Sequence, residues 1–344
     1  MLITVVPYSD KYHAEWDKFV LSRPEATIAH QIGWRLAIAE GLGHKPFYLV
    51  ALSGSDICGV LPLFFVKTWW QTKYLISMPW IDYGGILADS EIATEALLNE
   101  ANRIAKETKA EFIEFRSVDP VTSELPIRTD KVTFQLSLQP DSELIWKSFN
   151  AKLRNQIRKA QKSELKTEFG SIDKLPEFYK VFSWKMHQLG TPVWGYKFFE
   201  SILKHLGNSA EIILVRKDDK VIAGGLIISF ADQLYVPSAA SYSNILKFCP
   251  NHALYWGVIR RGCENGYNWF DFGRSTIDSN TYRFKKQWVP EPKQLHWQYY
   301  LNRCDKIPAI NPDNEKYRIF INLWRKLPLS VANILGPKVI RNFP

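Results

Sequence analysis

The sequence predicts an α/β (α+β) fold made of two similar units in tandem, each a mixed sheet flanked by helices. The first observation is a repeated pattern of strand, polar turn and strand, at residues 48–63 and 213–228. The second is that each pattern follows an amphipathic helix that ends at a glycine, Gly43 or Gly207. The third is that each pattern is followed by another helix and a short strand. The shared order of helix, hairpin, helix and strand is the one expected of an α/β unit.

The first copy of this order occupies the N-terminal part of the chain. A helix is expected from Trp34 to Gly43, followed by a hairpin from Tyr48 to Leu63. A strand from Phe112 to Ser117 ends the copy, after a helix whose apolar face consists of Leu97, Ala101, Ile104 and Ala105. The segment from Asp119 to Pro140 contains three prolines and few helix signals, so we predict that the first domain spans residues 1–140.

The second copy follows the same order. A helix is expected from Tyr196 to Gly207 and a hairpin from Ile213 to Ile228. The next helix ends at Gly266, and its apolar face consists of Tyr255, Ile259 and Cys263. We predict a second domain over residues 141–303 and a separate C-terminal tail over 304–344.

The stretch from Tyr267 to Trp288 gathers aromatic, acidic and basic residues in a short span. Trp269 to Phe272 is predicted to be a short buried strand, after which Gly273 allows the backbone to turn. Arg274 and Ser275 then emerge at the strand end, where α/β folds bind ligands. Buried aromatics beside convergent charges favour a functional site, and the alternative is a core strand followed by a solvated basic loop.

An alternating pattern follows within the same stretch. The rings of Tyr282 and Phe284 alternate with the cations Arg283 and Lys285. This predicts an extended segment or tight turn that buries rings on one side and presents cations on the other. If the segment is extended, the adjacent Lys285 and Lys286 point to opposite faces, and the alternation places Lys285 on the cationic side.

A basic helix is predicted from Asn150 to Lys162. Its apolar stripe consists of Leu153, Ile157 and Ala160, and its cations are Arg154, Arg158 and Lys162 in one row with Lys152 and Lys159 beside it. Like charges at this spacing repel by about a few tenths of a kcal/mol per pair, which indicates an anionic partner. The alternative is a solvated surface helix.

Charge and composition narrow the class of partner. The 344 residues contain 44 Lys and Arg against 35 Asp and Glu, so the net charge is +9. This favours RNA, a nucleotide, a phospholipid head group or an acidic glycan carrier. Four widely spaced cysteines without a Cys-x-x-Cys pair indicate neither a zinc site nor a disulfide framework, so we expect no metal and a reducing cytosol. No apolar run is long enough to span a membrane, so we expect a cytoplasmic protein.

The C-terminal tail alternates apolar and basic residues. The segment 316–327 reads as an amphipathic basic helix, and a short apolar helix is expected from Leu329 to Leu335. This pattern predicts peripheral contact with the inner face of a membrane, or with a partner, through residues 316–335. The alternative is a pair of helices that cap the second domain.

Several motifs together resemble the FemAB-like aminoacyltransferases, a branch of the GNAT acyltransferase superfamily. They are Phe-Asp-Phe-Gly-Arg-Ser-Thr from Phe270, Thr-Tyr-x-Phe-Lys-Lys-x-Trp from Thr281, Lys-Leu-Arg-Asn-Gln-Ile-Arg-Lys-Ala from Lys152, and Asp-Tyr-Gly-Gly from Asp82. Within this family, the chain is most similar to the FemAB-related subgroup of PEP-CTERM and exopolysaccharide loci. Two positions depart from the family pattern, because Asn280 and Val289 stand where glycine is usual.

The resemblance implies an acyl- or aminoacyltransferase of tandem GNAT architecture that acts on a cell-envelope or exopolysaccharide precursor. It implies no cofactor, with aminoacyl-tRNA or acyl-CoA as the donor. The turn by which ordinary GNAT enzymes hold the pyrophosphate of coenzyme A is missing between Tyr242 and Asn251, which shifts weight towards aminoacyl-tRNA. The acceptor is an amine or hydroxyl on a lipid- or nucleotide-linked precursor. The alternative is a non-catalytic binding protein of an envelope assembly that retains the fold.

Lys285 carries over from the family motif as the electrophile that stabilises the tetrahedral intermediate or the leaving oxygen. Local chemistry predicts that Asp82 or Asp271 orients the acceptor and that Arg274 holds a phosphate. The remaining candidate substrate-binding residues are Ser275, Tyr282, Arg283, Tyr83, Arg154, Arg158 and Lys152.

Overall fold

The computed structural model describes residues 3–308 and 315–343. They form two compact units, one made of residues 3–132 and 294–308 and the other of residues 133–293 and 315–343. The chain passes from the first unit to the second after Val132, and residues 294–308 belong to the first unit. The reason is that the strand His296–Leu301 pairs with Phe112–Ser117. The division into residues 1–140, 141–303 and 304–344 stays a prediction.

The strands and helices are numbered in chain order. Up to residue 128 they are β1 (Ile3–Pro7), α1 (His13–Leu21), α2 (Trp34–Leu42), β2 (Lys45–Pro46), β3 (Leu49–Ser53), β4 (Asp56–Leu61), β5 (Phe64–Lys67), β6 (Lys73–Ile76), β7 (Leu87–Ala88), α3 (Glu91–Thr108), β8 (Phe112–Ser117) and β9 (Ile127–Arg128). From residue 131 to residue 217 they are β10 (Lys131–Thr133), β11 (Gln135–Ser137), α4 (Ser142–Ser148), α5 (Ala151–Lys162), β12 (Lys166–Gly170), α6 (Leu175–Leu189), α7 (Tyr196–Leu206) and β13 (Ala210–Lys217). The remaining elements are β14 (Lys220–Phe230), β15 (Gln233–Ser241), α8 (Pro250–Glu264), β16 (Trp269–Asp271), β17 (Ser275–Thr276), α9 (Asn280–Lys285), β18 (Lys293–Gln294), β19 (His296–Leu301), α10 (Glu315–Lys326) and α11 (Leu329–Ile340).

The first unit contains two sheets, ordered β1-β3-β4-β7 and β2-β5-β6-β8-β19-β9. Helix α3 begins at Ser90, whose side chain accepts a hydrogen bond from the amide of Ala93 and so caps the helix. Its predicted apolar face is buried in a core with strand residues such as Leu49, Leu75 and Phe115. The predicted hairpin, helix and strand of the first copy are confirmed.

The second unit is built on one six-stranded sheet, ordered β11-β16-β15-β14-β13-β12. Strands β13 and β14 form the predicted antiparallel hairpin, and helix α7 ends at Gly207 as expected. Helix α5 begins at the cap Asn150, and its predicted stripe of Leu153, Ile157 and Ala160 is buried. The predicted repeat of helix, hairpin, helix and strand is therefore present in both units.

Strands β15 and β16 run parallel but separate after a short pairing. The paired residues run from Gln233 and Trp269 to Tyr235 and Asp271. Within the residues that the structure describes, β15 then continues to Ser241 with a strand partner only on its β14 side. Pro237, which has no N–H to donate, lies in this one-sided stretch, as expected of a strand edge. The separation leaves an opening between β15 and β16, where residues 236–241 of β15 have no described strand partner on the β16 side.

The segment after this opening is helical, so the extended conformation, one of the two alternatives predicted for residues 282–285, is wrong. Helix α9 begins after Ser279, whose side chain caps it by accepting a hydrogen bond from the amide of Tyr282. Helical spacing also brings Phe284 near Trp288, with ring centroids 6.2 Å apart. Lys285 is buried and Lys286 is exposed, so the two lysines do face differently, but across a helix rather than a strand.

The tail forms two helices, α10 and α11, in the second unit. They pack closely on the connection between α6 and α7, where a Cβ on Gly190 would lie 2.9 Å from Ile321 O and one on Gly336 would lie 2.8 Å from Val193 N. The predicted helices are confirmed. The second is longer than expected, since it continues through Pro337. The side chains of residues 316–318 lie outside the described residues. No helix in the described part of the chain is long and apolar enough to cross a bilayer.

Candidate functional site

A tight turn at Gly273 follows β16 and forms the centre of the candidate site. Gly273 has φ +73°, a conformation that glycine adopts without strain. Asp271 is buried, and its carboxylate accepts hydrogen bonds from Gly273 N at 2.7 Å, Thr133 Oγ1 at 2.6 Å and Gln135 Nε2 at 3.0 Å. Asp271 therefore fixes the turn, since its oxygens already hold three donors.

Lys285 closes the same turn from the other side. Its ammonium Nζ donates to the carbonyl oxygens of Gly273 at 2.7 Å and Arg274 at 2.8 Å, and the side chain is only 7% exposed. An ammonium group has three hydrogens, so two of them are used for these carbonyls. Lys285 thus places a positive charge beside the carboxyl end of β16 and holds the backbone there.

The residues around this turn differ in exposure. Ser275 is buried, and its hydroxyl has no hydrogen-bond partner in the part of the chain that the structure describes. Arg274 is half-buried. The ring of Tyr282 packs edge-on against Phe134 at 5.3 Å, while Arg283 is exposed. Ser275 is therefore a buried polar group at this turn whose missing partner calls for an explanation.

An aromatic cluster lies against α9 and was not predicted as part of the site. His252, in the first turn of α8, stacks on Trp288 at 6.0 Å and meets Phe284 edge-on at 5.3 Å. Burial lowers the pKa of His252 to about 4, so the ring is neutral near pH 7. Its Nε2 and the Nε1 of Trp288 are both buried without a hydrogen-bond partner among the described residues. A spacing of three residues between His252 and Tyr255, on one helical face, is the sequence signal that points to this cluster.

The predicted cations of α5 lie on a separate element of the same unit. Lys152 is exposed and Arg154 is half-buried, with its Nε buried and without a hydrogen-bond partner in the described chain. The guanidinium of Arg158 lies over the ring of Trp146, 5.3 Å from its centroid. The sequence correctly predicts that these side chains share one helix, but they do not belong to the Gly273 turn.

Asp82 and Tyr83 belong to the first unit, where both are buried. Their loop is held by Arg116, whose Nη1 donates to Met78 O at 3.1 Å and Ile81 O at 2.9 Å. The indole Nε1 of Trp297 donates to Asp82 O at 3.1 Å. The loop is thus fixed through its backbone.

The glycines after Tyr83 face a small cavity. Gly84 has φ +144°, and a Cβ there would collide with Met78. Gly85 O accepts a hydrogen bond from Nε2 of His30, since Nδ1 of His30 accepts from the amide of Thr27 and cannot carry the proton. Burial lowers the pKa of His30 to about 4. The adjoining cavity of about 230 Å³ is also lined by Tyr83.

Comparison with known proteins places this geometry in a known fold. Residues 147–286 match the family model described as acetyltransferase (GNAT) domain. The match spans α5, the sheet from β12 to β16, the Gly273 turn and α9. A search of curated proteins found no match.

Solved structures resemble the chain over most of its length. FemX matches with a TM-score of 0.66 at 16% identity, covering 87% of this chain and 98% of FemX. L-PGS from Bacillus licheniformis matches with a TM-score of 0.58 at 13% identity, covering 96% and 98%. A tandem GNAT protein from the clavulanic acid biosynthesis pathway matches with a TM-score of 0.52 at 11% identity, covering 87% and 98%.

These likenesses confirm a mixed α/β fold with tandem GNAT-like neighbours. The family match assigns residues 147–286 to an acetyltransferase (GNAT) domain, and the solved structures add a likeness of fold. The narrower resemblance to the PEP-CTERM and exopolysaccharide subgroup stays a prediction.

Proposed function

We propose that the protein transfers an acyl or aminoacyl group from an activated donor, aminoacyl-tRNA or acyl-CoA, to an amine or hydroxyl of a cell-envelope or exopolysaccharide precursor. The observation that carries this proposal is the opening between β15 and β16, bounded by the turn that Asp271 and Lys285 fix. An open strand edge offers backbone N–H and C=O groups to an extended donor. The GNAT domain match covers the same elements.

Acyl transfer needs a group that stabilises the negative charge developing on the carbonyl oxygen. Lys285 supplies a fixed positive charge in a buried setting, where electrostatic effects are stronger than in water. The hydroxyl of Ser275, which has no partner in the described chain, is placed to donate to the donor carbonyl or the leaving oxygen. Asp271 acts as a positioning residue, because its carboxylate already accepts from three donors. Positioning supplies much of the rate in such reactions, and no metal is required.

Asp82 remains the carboxylate proposed to orient the acceptor, and Tyr83 remains a proposed substrate-binding residue. Arg274 is proposed to hold a phosphate of the donor or acceptor, since a guanidinium binds phosphate through paired hydrogen bonds. Tyr282 and Arg283 extend this surface along α9. The cations of α5, Lys152 and Arg154, provide an electrostatic attraction for a polyanionic donor.

We further propose that the tail associates with the inner face of an anionic membrane. Residues 319–343 contain four cations and no acidic residue. The outward apolar side chains are Ile319, Leu323, Val331, Ile334 and Leu335, all more than a third exposed. Buried apolar area and cationic charge act together in such attachment.

Vesicle flotation tests this attachment. Full-length protein should float with vesicles containing phosphatidylglycerol but not with purely zwitterionic vesicles. A double variant Leu323→Asn/Ile334→Asn should lose flotation, while Ile92→Asn, at an equally exposed position of α3, should keep it. If wild type does not float, or the double variant floats equally, the tail only packs on the second unit.

The transferase proposal is tested by incubating the purified protein with labelled aminoacyl-tRNA or acyl-CoA and an envelope extract. Mass analysis of the products should show a new amide or ester. Ser275→Ala should reduce transfer about a hundredfold to a thousandfold, as expected for the loss of a donor to developing negative charge. If a folded, full-length protein transfers from neither donor to any acceptor, the non-catalytic alternative replaces this proposal.

A further inference from the structure

A second cavity, of about 430 Å³, lies between α4, α5 and α8 of the second unit. Its lining side chains are Ser142, Glu143, Trp146, Arg158, Gln161, Trp256, Arg260 and Glu264. The volume is within the range of small-ligand sites. Arg260 lies about two helical turns beyond His252 on α8, which is about 12 Å along the axis. None of these lining side chains belongs to the Gly273 turn or to α9.

The charged side chains of this cavity come from all three helices, α4, α5 and α8. Arg158 comes from α5, a helix that carries five cations and no acidic residue. Arg260 comes from α8 and reaches Glu264 only at 3.4 Å, with both side chains more than half exposed. Such an exposed pair contributes little, so the guanidinium of Arg260 remains available to an anion. Glu143, which is exposed on α4, supplies an acceptor on another wall.

The aromatic residues of the cavity pack against neighbouring side chains. Trp146 is held between the guanidinium of Arg158 at 5.3 Å and the ring of Trp256 at 5.5 Å. Trp256 is buried and also meets Phe149 edge-on at 5.9 Å. Because the rings of Trp146 and Trp256 are already packed in the free protein, their side chains should lose little conformational entropy when a planar ligand binds against their edges.

We propose that this cavity binds a nucleotide. Two guanidinium groups from different helices fit a phosphate, which Arg binds through paired hydrogen bonds. Carboxylate and amide side chains, here Glu143 and Gln161, fit the exocyclic amine and ring nitrogens of a base. A nucleotide joins these two chemistries, an anion and a planar hydrogen-bonding ring, in one ligand of suitable size. The proposal is independent of acyl transfer, because it concerns binding alone.

Titration calorimetry with the full-length protein tests the proposal. The probes are UDP, ADP, a short single-stranded RNA and inorganic phosphate, so that a free nucleotide and an RNA chain are distinguished. At least one of the first three should bind saturably. Arg158→Ala and Arg260→Ala should each weaken that binding about tenfold to a hundredfold, as expected for charge-assisted hydrogen bonds.

Lys159→Ala is the matched control, because it removes the same charge from the next residue of α5, which is exposed and does not line the cavity. It should weaken binding less than about fivefold. Glu143→Gln should change the preference between UDP and ADP without abolishing binding. The proposal is overturned if no nucleotide binds at millimolar concentration, if phosphate binds as tightly as the nucleotides, or if Lys159→Ala weakens binding as much as Arg158→Ala.

Discussion

Replacing Lys285 by methionine should lower both stability and turnover, because this side chain holds the Gly273 turn and is proposed to stabilise the developing negative charge. Methionine keeps the length and apolar stem but removes the ammonium. Two charge-assisted hydrogen bonds, at 2.7 and 2.8 Å, are lost from the buried carbonyls of Gly273 and Arg274. Each contributes about 1.5 to 3 kcal/mol, and the relief of burying a charge offsets part of the sum. We expect the free energy of unfolding to fall by about 3 kcal/mol.

Turnover should fall further than this instability explains. Loss of a donor that acts on developing negative charge costs about a hundredfold to a thousandfold in rate. Urea denaturation gives the first quantity, and transfer of label from the active donor, measured where the variant is fully folded, gives the second. Lys286→Met is the control, since Lys286 is exposed at the end of α9. Normal turnover in a destabilised Lys285→Met protein would show that the lysine only holds the turn, and unchanged stability would refute the hydrogen-bond reasoning itself.

Three further predictions concern donor, pH and packing. Calorimetry should show at most weak binding of acetyl-CoA, because the pyrophosphate-binding turn is missing before α8; micromolar affinity would reassign the donor. The pKa of His30 and that of His252 are lowered to about 4, so unfolding takes up protons below pH 6.5 and stability falls from there towards pH 4. Each histidine should lower the free energy of unfolding by about 2 kcal/mol between pH 6.5 and pH 5. His252→Phe should therefore reduce the pH dependence of the unfolding free energy measured by urea denaturation, and an unchanged pH dependence would contradict the burial of His252. Gly190→Ala should destabilise by at least about 1 kcal/mol more than Gly266→Ala, since both glycines have positive φ but only Gly190 is packed, against Ile321; equal thermal shifts would show that the tail is not tightly docked.

Local patterns in the sequence predicted the elements that depend on local chemistry. Gly43 and Gly207 correctly predicted two helix ends, and the spacing of apolar residues predicted the strands of the two hairpins. These signals act over a few residues, so they can be read from the sequence. The α9 segment was assigned wrongly because four alternating residues fit a strand as well as a single helical turn. Ser279, a good helix cap, was the signal that would have decided it.

The remaining features depend on contacts between distant residues. Asp271 is satisfied by Thr133 and Gln135, more than a hundred residues away, and nothing near Asp271 in the sequence indicates this. The cavity between α4, α5 and α8 depends on how three helices pack. Arg158 was identified from its helical row, but Trp146 and Arg260 were not, since they come to line one cavity only when the chain folds.

The return of β19 to the first sheet has a consequence for biosynthesis. This strand pairs with β8 on one side and with β9 on the other, so it is an interior strand of a sheet whose other members end by residue 128. During translation the ribosome must complete nearly all of the second unit before β19 emerges. Until then β8 exposes a row of unpaired backbone groups, which invites pairing with another chain. Expression of residues 1–140 alone should therefore yield an aggregation-prone fragment, and a nascent chain stalled before residue 294 should be a target for chaperones.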